Sequence, residues 1–376
     1  MFLRCGLRTS QLRQRQDARC LAAAIWLARP IHWGLGLVSR AVKCAIVVYA
    51  VIAMAVALLL PPGTQAGPGV NDPASRVRAA INSLRFVAYT PTDLTIVAGQ
   101  VHPASRERIR KDLTLLREDF QGLITYSCAD GVDEVPAVAK ALGYRALIIG
   151  IWDPLSDREF RNAKRLVDAY PQLIVGISVG NETLLAERQQ WPVLRAAIQR
   201  LRAAVPGVAI TTSEPFYYYL NNDPADFVAV QDFLLPSVHP LFQPWFDQAS
   251  TAQAVDFVVR VAGLLSARTD KPVLIKETGL PSGPPGTRFT PSAQAEFWTS
   301  LIRQLPKLPG LGVAYFEAFD HDWKEENARQ EFGAHPEEGY WGLYTAGGDP
   351  KAVMTVLRKL WRADNLPGKA TAVPVE

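Results

Sequence analysis

Residues 173–182 read Leu-Ile-Val-Gly-Ile-Ser-Val-Gly-Asn-Glu. The run is short, apolar and rich in β-branched residues, and it ends on an amide and a carboxylate, which predicts a strand whose last residues face solvent or a ligand. A segment of helical period precedes it at 156–170, where Phe160, Ala163, Leu166 and Val167 share one face. Ser156 and Glu159 have the spacing of a capping box at its start.

Working outward, the same strand-plus-helix unit recurs. Further runs lie at 84–91 (LRFVAYTP), 122–128 (GLITYSC), 145–153 (RALIIGIWD), 208–215 (VAITTSEP), 233–240 (FLLPSVHP), 272–279 (PVLIKETG) and 313–320 (VAYFEAFD). Between the first two, Ile109, Leu113, Leu116 and Phe120 mark a helix over 105–120. Eight such units in roughly 290 residues predict an α/β fold of the (β/α)8 TIM-barrel type, whose active site is built at the C-terminal ends of the strands. A doubly wound open sheet is the alternative, but no glycine-rich phosphate loop follows the first run.

Carboxylates close several runs: Asp153, Glu182, Glu214, Glu277, Glu317 and Asp320. A barrel gathers them at one mouth. Two acids facing a cleft with aromatic neighbours suit glycosidic cleavage, one protonating the leaving oxygen while the other attacks or guides water. The rings that follow strand ends and could stack on sugar are Trp152, Tyr217, Tyr218, Tyr219, Trp245, Phe246 and Trp323. No Gly-x-Ser-x-Gly elbow is present, and the five histidines show no metalloprotease spacing. Lys276 would suit a Schiff base inside a barrel, yet no phosphate site accompanies it.

The 376 residues are 48% apolar and 20% charged, which excludes a disordered or collagenous chain. The net charge of +4 is unevenly placed. Residues 1–43 hold eight Lys/Arg against Asp17 alone, leaving 32 basic and 35 acidic residues for the remainder. That balance gives no footprint for nucleic acid. Three of the four cysteines, Cys5, Cys20 and Cys44, precede residue 45, so Cys128 has no disulfide partner in the barrel and reads as a small apolar strand residue.

The uncharged stretch 44–60 follows Arg40 and Lys43 and stops at Pro61-Pro62-Gly63. It predicts a single membrane-spanning signal-anchor, with 1–43 cytoplasmic and the rest extracytoplasmic, periplasmic in a bacterium. Thr64-Gln65-Ala66 resembles a cleavage site, and cleavage there would make the protein secreted. The expected organisation is therefore a basic segment at 1–43, the anchor at 44–60, a linker at 61–74, the barrel at 75–364 and a tail at 365–376.

Gly180-Asn181-Glu182 and Lys276-Glu277-Thr278-Gly279-Leu280-Pro281-Ser282 resemble glycoside hydrolase family 17, the β-1,3-glucanases. Ala318-Phe319-Asp320, Trp323-Lys324, residues 338–344 and Pro350-Lys351 extend the resemblance in the expected order, as does Thr211-Thr212-Ser213-Glu214-Pro215. The resemblance implies a retaining barrel with Glu182 as acid/base, Glu277 as nucleophile and Asn181 on the sugar 2-hydroxyl. Tyr89, Lys324 and Glu338 match positions that line the family's cleft. Glu214, His239, His321 and Trp323 are further candidates for sugar binding. Plant members place an acid where His321 stands, and the family usually has an aromatic where Leu280 stands. The expected partner is a β-glucan oligo- or polysaccharide bound by a monomer, with no metal or organic cofactor. Hydrolysis and glucanosyl transfer share all these residues and both stay open. A glycan-binding barrel without turnover is the alternative of another class.

Overall fold

The computed structural model describes residues 72–331 and 333–364. The basic segment, the predicted anchor and all but the end of the linker lie outside them, as does the tail. Among the described residues no helix is long and apolar enough to cross a membrane.

Five of the apolar runs form a parallel sheet in the order β1 (Phe86–Ala88), β4 (Gly122–Ile124), β5 (Ala146–Ile151), β6 (Ile174–Asn181) and β7 (Ala209–Ser213). Strands β8 (Val273–Ile275) and β9 (Leu311–Val313) pair in parallel beside them. Single parallel bridges complete the ring: Pro215 to Ser237, Leu234 to Val273, Ser237 to Glu277, and Tyr315 back to Val87. The sixth run thus takes its place between β7 and β8 without a regular ladder. Pro236 in its middle has no N–H to give, and its carbonyl accepts from Lys276 N at 2.9 Å instead. The eight segments close an α/β barrel.

Its interior is filled by Phe86, Ile124, Ala146, Ile148, Val175, Ala209, Phe233, Leu235, Leu274 and Ala314, at least one from each segment, packed in one buried cluster with Val77, Ala80 and Ile81. Those last three belong to α1 (Pro73–Ser83), which starts inside the predicted linker because Asp72 caps it and Pro73 occupies its first turn. Asn82 Oδ1 accepts from Gly310 N at 2.7 Å, so α1 plugs the end of the barrel where the strands begin. Catalytic groups can then sit only at the opposite end.

The helices alternate with the strands: α2 (Arg106–Leu116), α3 (Val135–Ala141), α4 (Asp157–Ala169), α5 (Trp191–Ala204), the short α6 (Phe216–Asn221), α7 (Thr251–Ala267), α8 (Pro291–Gln304), α9 (Trp323–Glu331) and α10 (Ala352–Asp364). Ser105 and Ser156 cap α2 and α4, each accepting the N–H three residues on. The predicted capping box at Ser156 is only half made. Glu159 turns away and accepts from Ser127 Oγ at 2.7 Å, Trp152 N at 3.1 Å and Asp153 N at 2.9 Å, pinning the turns after β4 and β5 together. Cys128 lies in the first of those turns and not in a strand; it is buried, with Sγ 3.2 Å from the Glu159 carbonyl.

An antiparallel hairpin of β2 (Thr95–Val97) and β3 (Gln100–His102) stands on the loop after β1. Ala98 and Gly99 both have positive φ, 50° and 77°, as the tight two-residue turn requires.

Candidate active site

A cleft of about 630 Å³ opens at the C-terminal ends of the barrel strands. Tyr89, Asn181, Glu182, His239, Glu277, Trp323, Lys324 and Glu338 all line it. Two candidates do not. Glu214 has no solvent exposure, and its carboxylate accepts from Leu184 N at 3.0 Å and Leu185 N at 3.3 Å, so it holds the loop after β6 and touches no ligand space. His321 is also buried, behind Glu317, with Nε2 4.0 Å from that carboxylate. Both corrections have one cause: a strand end fixes which mouth a residue is near, but the backbone decides which way its side chain turns.

Glu182 follows β6 through a tight reversal. Gly180 and Glu182 have φ of 79° and 48°, and Glu182 N donates to the Ser213 carbonyl at 2.7 Å. A left-handed glutamate stores about 1–3 kcal/mol of strain, of the kind that accumulates at functional positions. Burial raises the Glu182 carboxyl, and the charge of Glu277 raises it further against the opposing pull of His239 and Lys276. Glu182 is therefore set to hold a proton.

Glu277 is the opposite case. Burial alone would raise it, but Lys276 Nζ lies 2.9 Å from Oε1 and His239 Nε2 3.4 Å from Oε2, and together they hold the carboxyl well below the usual range. The cleft thus contains one carboxyl poised to give a proton and one kept ionised, with environments that push them apart. His239 is seated edge-on against Phe242, Phe316 and Trp341, with ring centroids 5.1–5.5 Å away.

Asn181 presents its side chain beside this pair, its Oδ1 accepting from Lys276 Nζ. Tyr89 lies in the wall with its hydroxyl donated to Asp112 Oδ2 at 3.1 Å. Lys324 is bound to Glu317, and Glu338 is raised by burial while facing Lys324 and His239. Of the predicted stacking rings, Trp152, Tyr217 and Trp323 line the cleft. Trp152 is 43% exposed, with the Arg188 guanidinium over its ring at 4.3 Å. Tyr219 and Phe246 are buried in packing, and Tyr218 and Trp245 lie outside the cleft.

Several lining residues escaped the sequence reading. Tyr126 lies near the end of the second run as Trp152 does near the end of the third, so the same strand-end logic could have found it. Phe242 closes a single 3-10 turn and His335 precedes another, and Ile96 and Val101 belong to the hairpin; they carry no signal of their own.

Residues 87–342 match the BtgE/BtgC glycoside hydrolase domain. A glucan 1,3-beta-glucosidase of Arthroderma benhamiae is 25% identical over 257 residues, covering 64% of this chain and 82% of that protein. Among solved structures, the glycoside hydrolase family 17 β-1,3-glucanosyltransferase of Rhizomucor miehei superposes with a TM-score of 0.58 at 20% identity, covering 73% of this chain and 98% of that one. An endo-laminarinase from Formosa gives 0.55 at 19% identity over 75% and 88%. The structural likenesses concern the fold.

Proposed function

We propose that this chain, which belongs to the BtgE/BtgC glycoside hydrolase domain family, cleaves β-1,3-linked glucan with retention of configuration through a covalent glycosyl-enzyme. The observation that carries the reading is the opposed electrostatic setting of Glu182 and Glu277 in one cleft. The curated relatives named glucan 1,3-beta-glucosidase support the substrate class.

In the first step a Glu277 oxygen attacks the anomeric carbon as the bond to the leaving oxygen breaks, and the Glu182 proton passes to that oxygen. A glycosyl ester on Glu277 and a deprotonated Glu182 result. With Glu277 no longer charged, the field that favoured the proton on Glu182 falls, and Glu182 is ready to act as base. It then takes a proton from an incoming hydroxyl, whose oxygen displaces Glu277 from the anomeric carbon. The Asn181 amide beside the pair is suited to bond the sugar 2-hydroxyl, a contact that strengthens as the sugar ring flattens.

Water as the incoming hydroxyl gives hydrolysis; a second glucan gives glucanosyl transfer, and the solved Rhizomucor miehei neighbour supports keeping that reading beside the first. Mass spectrometry of laminari-oligosaccharides incubated with a fragment from about residue 68 tests both. Shorter products alone indicate a hydrolase, and products longer than the substrate a transferase. Either must vanish in Glu277→Gln and Glu182→Gln. Retained binding and unchanged biological role in Glu182→Gln would instead support a glycan-binding barrel.

The charge-flanked apolar stretch 44–60 supports a barrel tethered on the outer side of a membrane. A reporter fused after residue 376 tests this, and its cytoplasmic activity would overturn it.

A further inference from the structure

Consecutive residues of a strand point to opposite faces. β8 ends at Ile275, however, and the next two side chains, Lys276 and Glu277, meet in the same site. Lys276 has 3% side-chain exposure. Its Nζ lies 2.9 Å from Glu277 Oε1, donates to Asn181 Oδ1 at the end of β6, and stands 4.4 Å from the centre of the Tyr126 ring after β4. A lysine buried this deeply is rare without a dedicated partner set. Here the set consists of a carboxylate, an amide oxygen and a ring face.

We propose that Lys276 is the positioning residue of this site, one ammonium that keeps the nucleophile ionised and fixes the Asn181 amide toward the sugar. The inference rests on the reading of Glu277 as nucleophile. Two physical consequences follow from the geometry. An ammonium is a donor only, so the Asn181 oxygen must face it, and the Nδ2 donors are left for the cleft. The same charge offsets the cost of burying an ionised Glu277 and stabilises that carboxylate as it departs in the second step. Truncation should therefore harm turnover more than binding. A Schiff-base role is a poor fit, since every near partner of Nζ suits the charged form.

Other groups also face Glu277 and must be held constant: His239 near the end of the sixth run, Glu182 after β6 and Tyr126 after β4; Lys324, with its partner Glu317, and Glu338 belong to the same cleft beyond β9. None of these is altered by substitution at 276. Lys276→Met removes charge and donor at similar size; Lys276→Gln keeps a donor; Lys276→Arg keeps the charge.

The experiment is the pH profile of kcat and KM on laminari-oligosaccharides, together with carbon-13 NMR titration of the labelled Glu277 carboxyl in the same proteins. In Lys276→Met the acid limb and the carboxyl titration are expected to rise by about one pH unit or more, with kcat down roughly 100-fold and KM little changed. Lys276→Arg should return both titrations toward the wild type. Lys276→Gln should shift them as Met does, which preserves the test if Met does not fold. A Glu277 titration unmoved in both neutral variants would overturn the proposal. A wild type without turnover would sink the glycosidase reading, and the NMR titration would still decide whether Lys276 sets the charge of Glu277.

Discussion

Both carboxylate oxygens of Glu317 lie 2.6 Å from Lys324 Nζ, and Glu317 has no exposure to solvent. Glu317 stands seven residues before Lys324, near the end of the eighth barrel segment. A buried pair of this kind is costly to break from one side only, because the remaining charge is left unpaired. Burial raises the Glu317 carboxyl to about 7 even beside Lys324, so the full cost of about 3–5 kcal/mol for Lys324→Met is expected only well above that pH, where the carboxylate is left charged and unpaired, and Glu317→Gln should cost clearly less. Urea midpoints of the two variants check this; equal midpoints would show that the pair is not the structural unit described.

Gly180 bears on the geometry of Glu182. A Cβ at Gly180 would stand 2.5 Å from Thr183 Oγ1, and the backbone there has φ of 79°. Gly180→Ala must then shift the reversal that carries Glu182. The expected cost is about 1–3 kcal/mol in stability, with kcat down roughly 100-fold because the acid/base is misplaced. Calorimetric binding of laminari-oligosaccharide should persist. Unchanged kcat in a folded Gly180→Ala would separate Glu182 from the chemistry.

The pH profile of turnover follows from the same pair. A general acid works while protonated, and Glu182 is raised to about 7, so kcat/KM should fall as pH rises past that point. Glu277 works ionised and is held low, so the acid limb should lie below the ordinary carboxylate range. With an aryl glycoside whose leaving group needs no proton, Glu182→Gln should keep first-step activity and lose the basic limb. A limb that survives the substitution belongs to another group.

How much of this was legible in the sequence differs by kind of evidence. The eight runs were visible because parallel strands are apolar along their length and end in polar residues at one mouth. The sixth was visible too, although Pro236 denies it a ladder. Helix α1 was missed because 73–83 lies beside a Gly/Pro linker and its apolar face is narrow. The hairpin at 95–102 was missed because its strands have three residues each and its turn reads Ala98-Gly99 rather than a strong turn pair. Glu159 was misread because local spacing suggested a cap, whereas its real partners, Ser127 and the amides after β5, are brought by the fold. Glu182, Glu277 and Asn181 could be singled out together because each ends a run within a motif. Lys276 could not be given its present partners, since alternation alone would have turned it away from Glu277.

Glu214 offers a test of the fold's electrostatics apart from any activity. Burial raises its carboxyl from an ordinary 4.5 to about 8, against the pull of the backbone donors at Leu184 and Leu185. Between those values the folded chain keeps a proton that the unfolded chain has released. The sign is then fixed: the stabilising contribution is complete below about 4.5 and is lost progressively as pH rises to about 8. His321, lowered by burial, acts in the reverse sense, since it loses stability as pH falls below its usual range. Comparing wild type with Glu214→Gln cancels His321, which both proteins share. The difference in unfolding free energy should drift by roughly 1 kcal/mol per pH unit across the window, with the wild type losing ground to the variant as pH rises. A difference that stays flat from mildly acidic to mildly alkaline pH would mean that Glu214 is ionised in the folded state, its charge carried by the backbone amides of Thr183, Leu184 and Leu185.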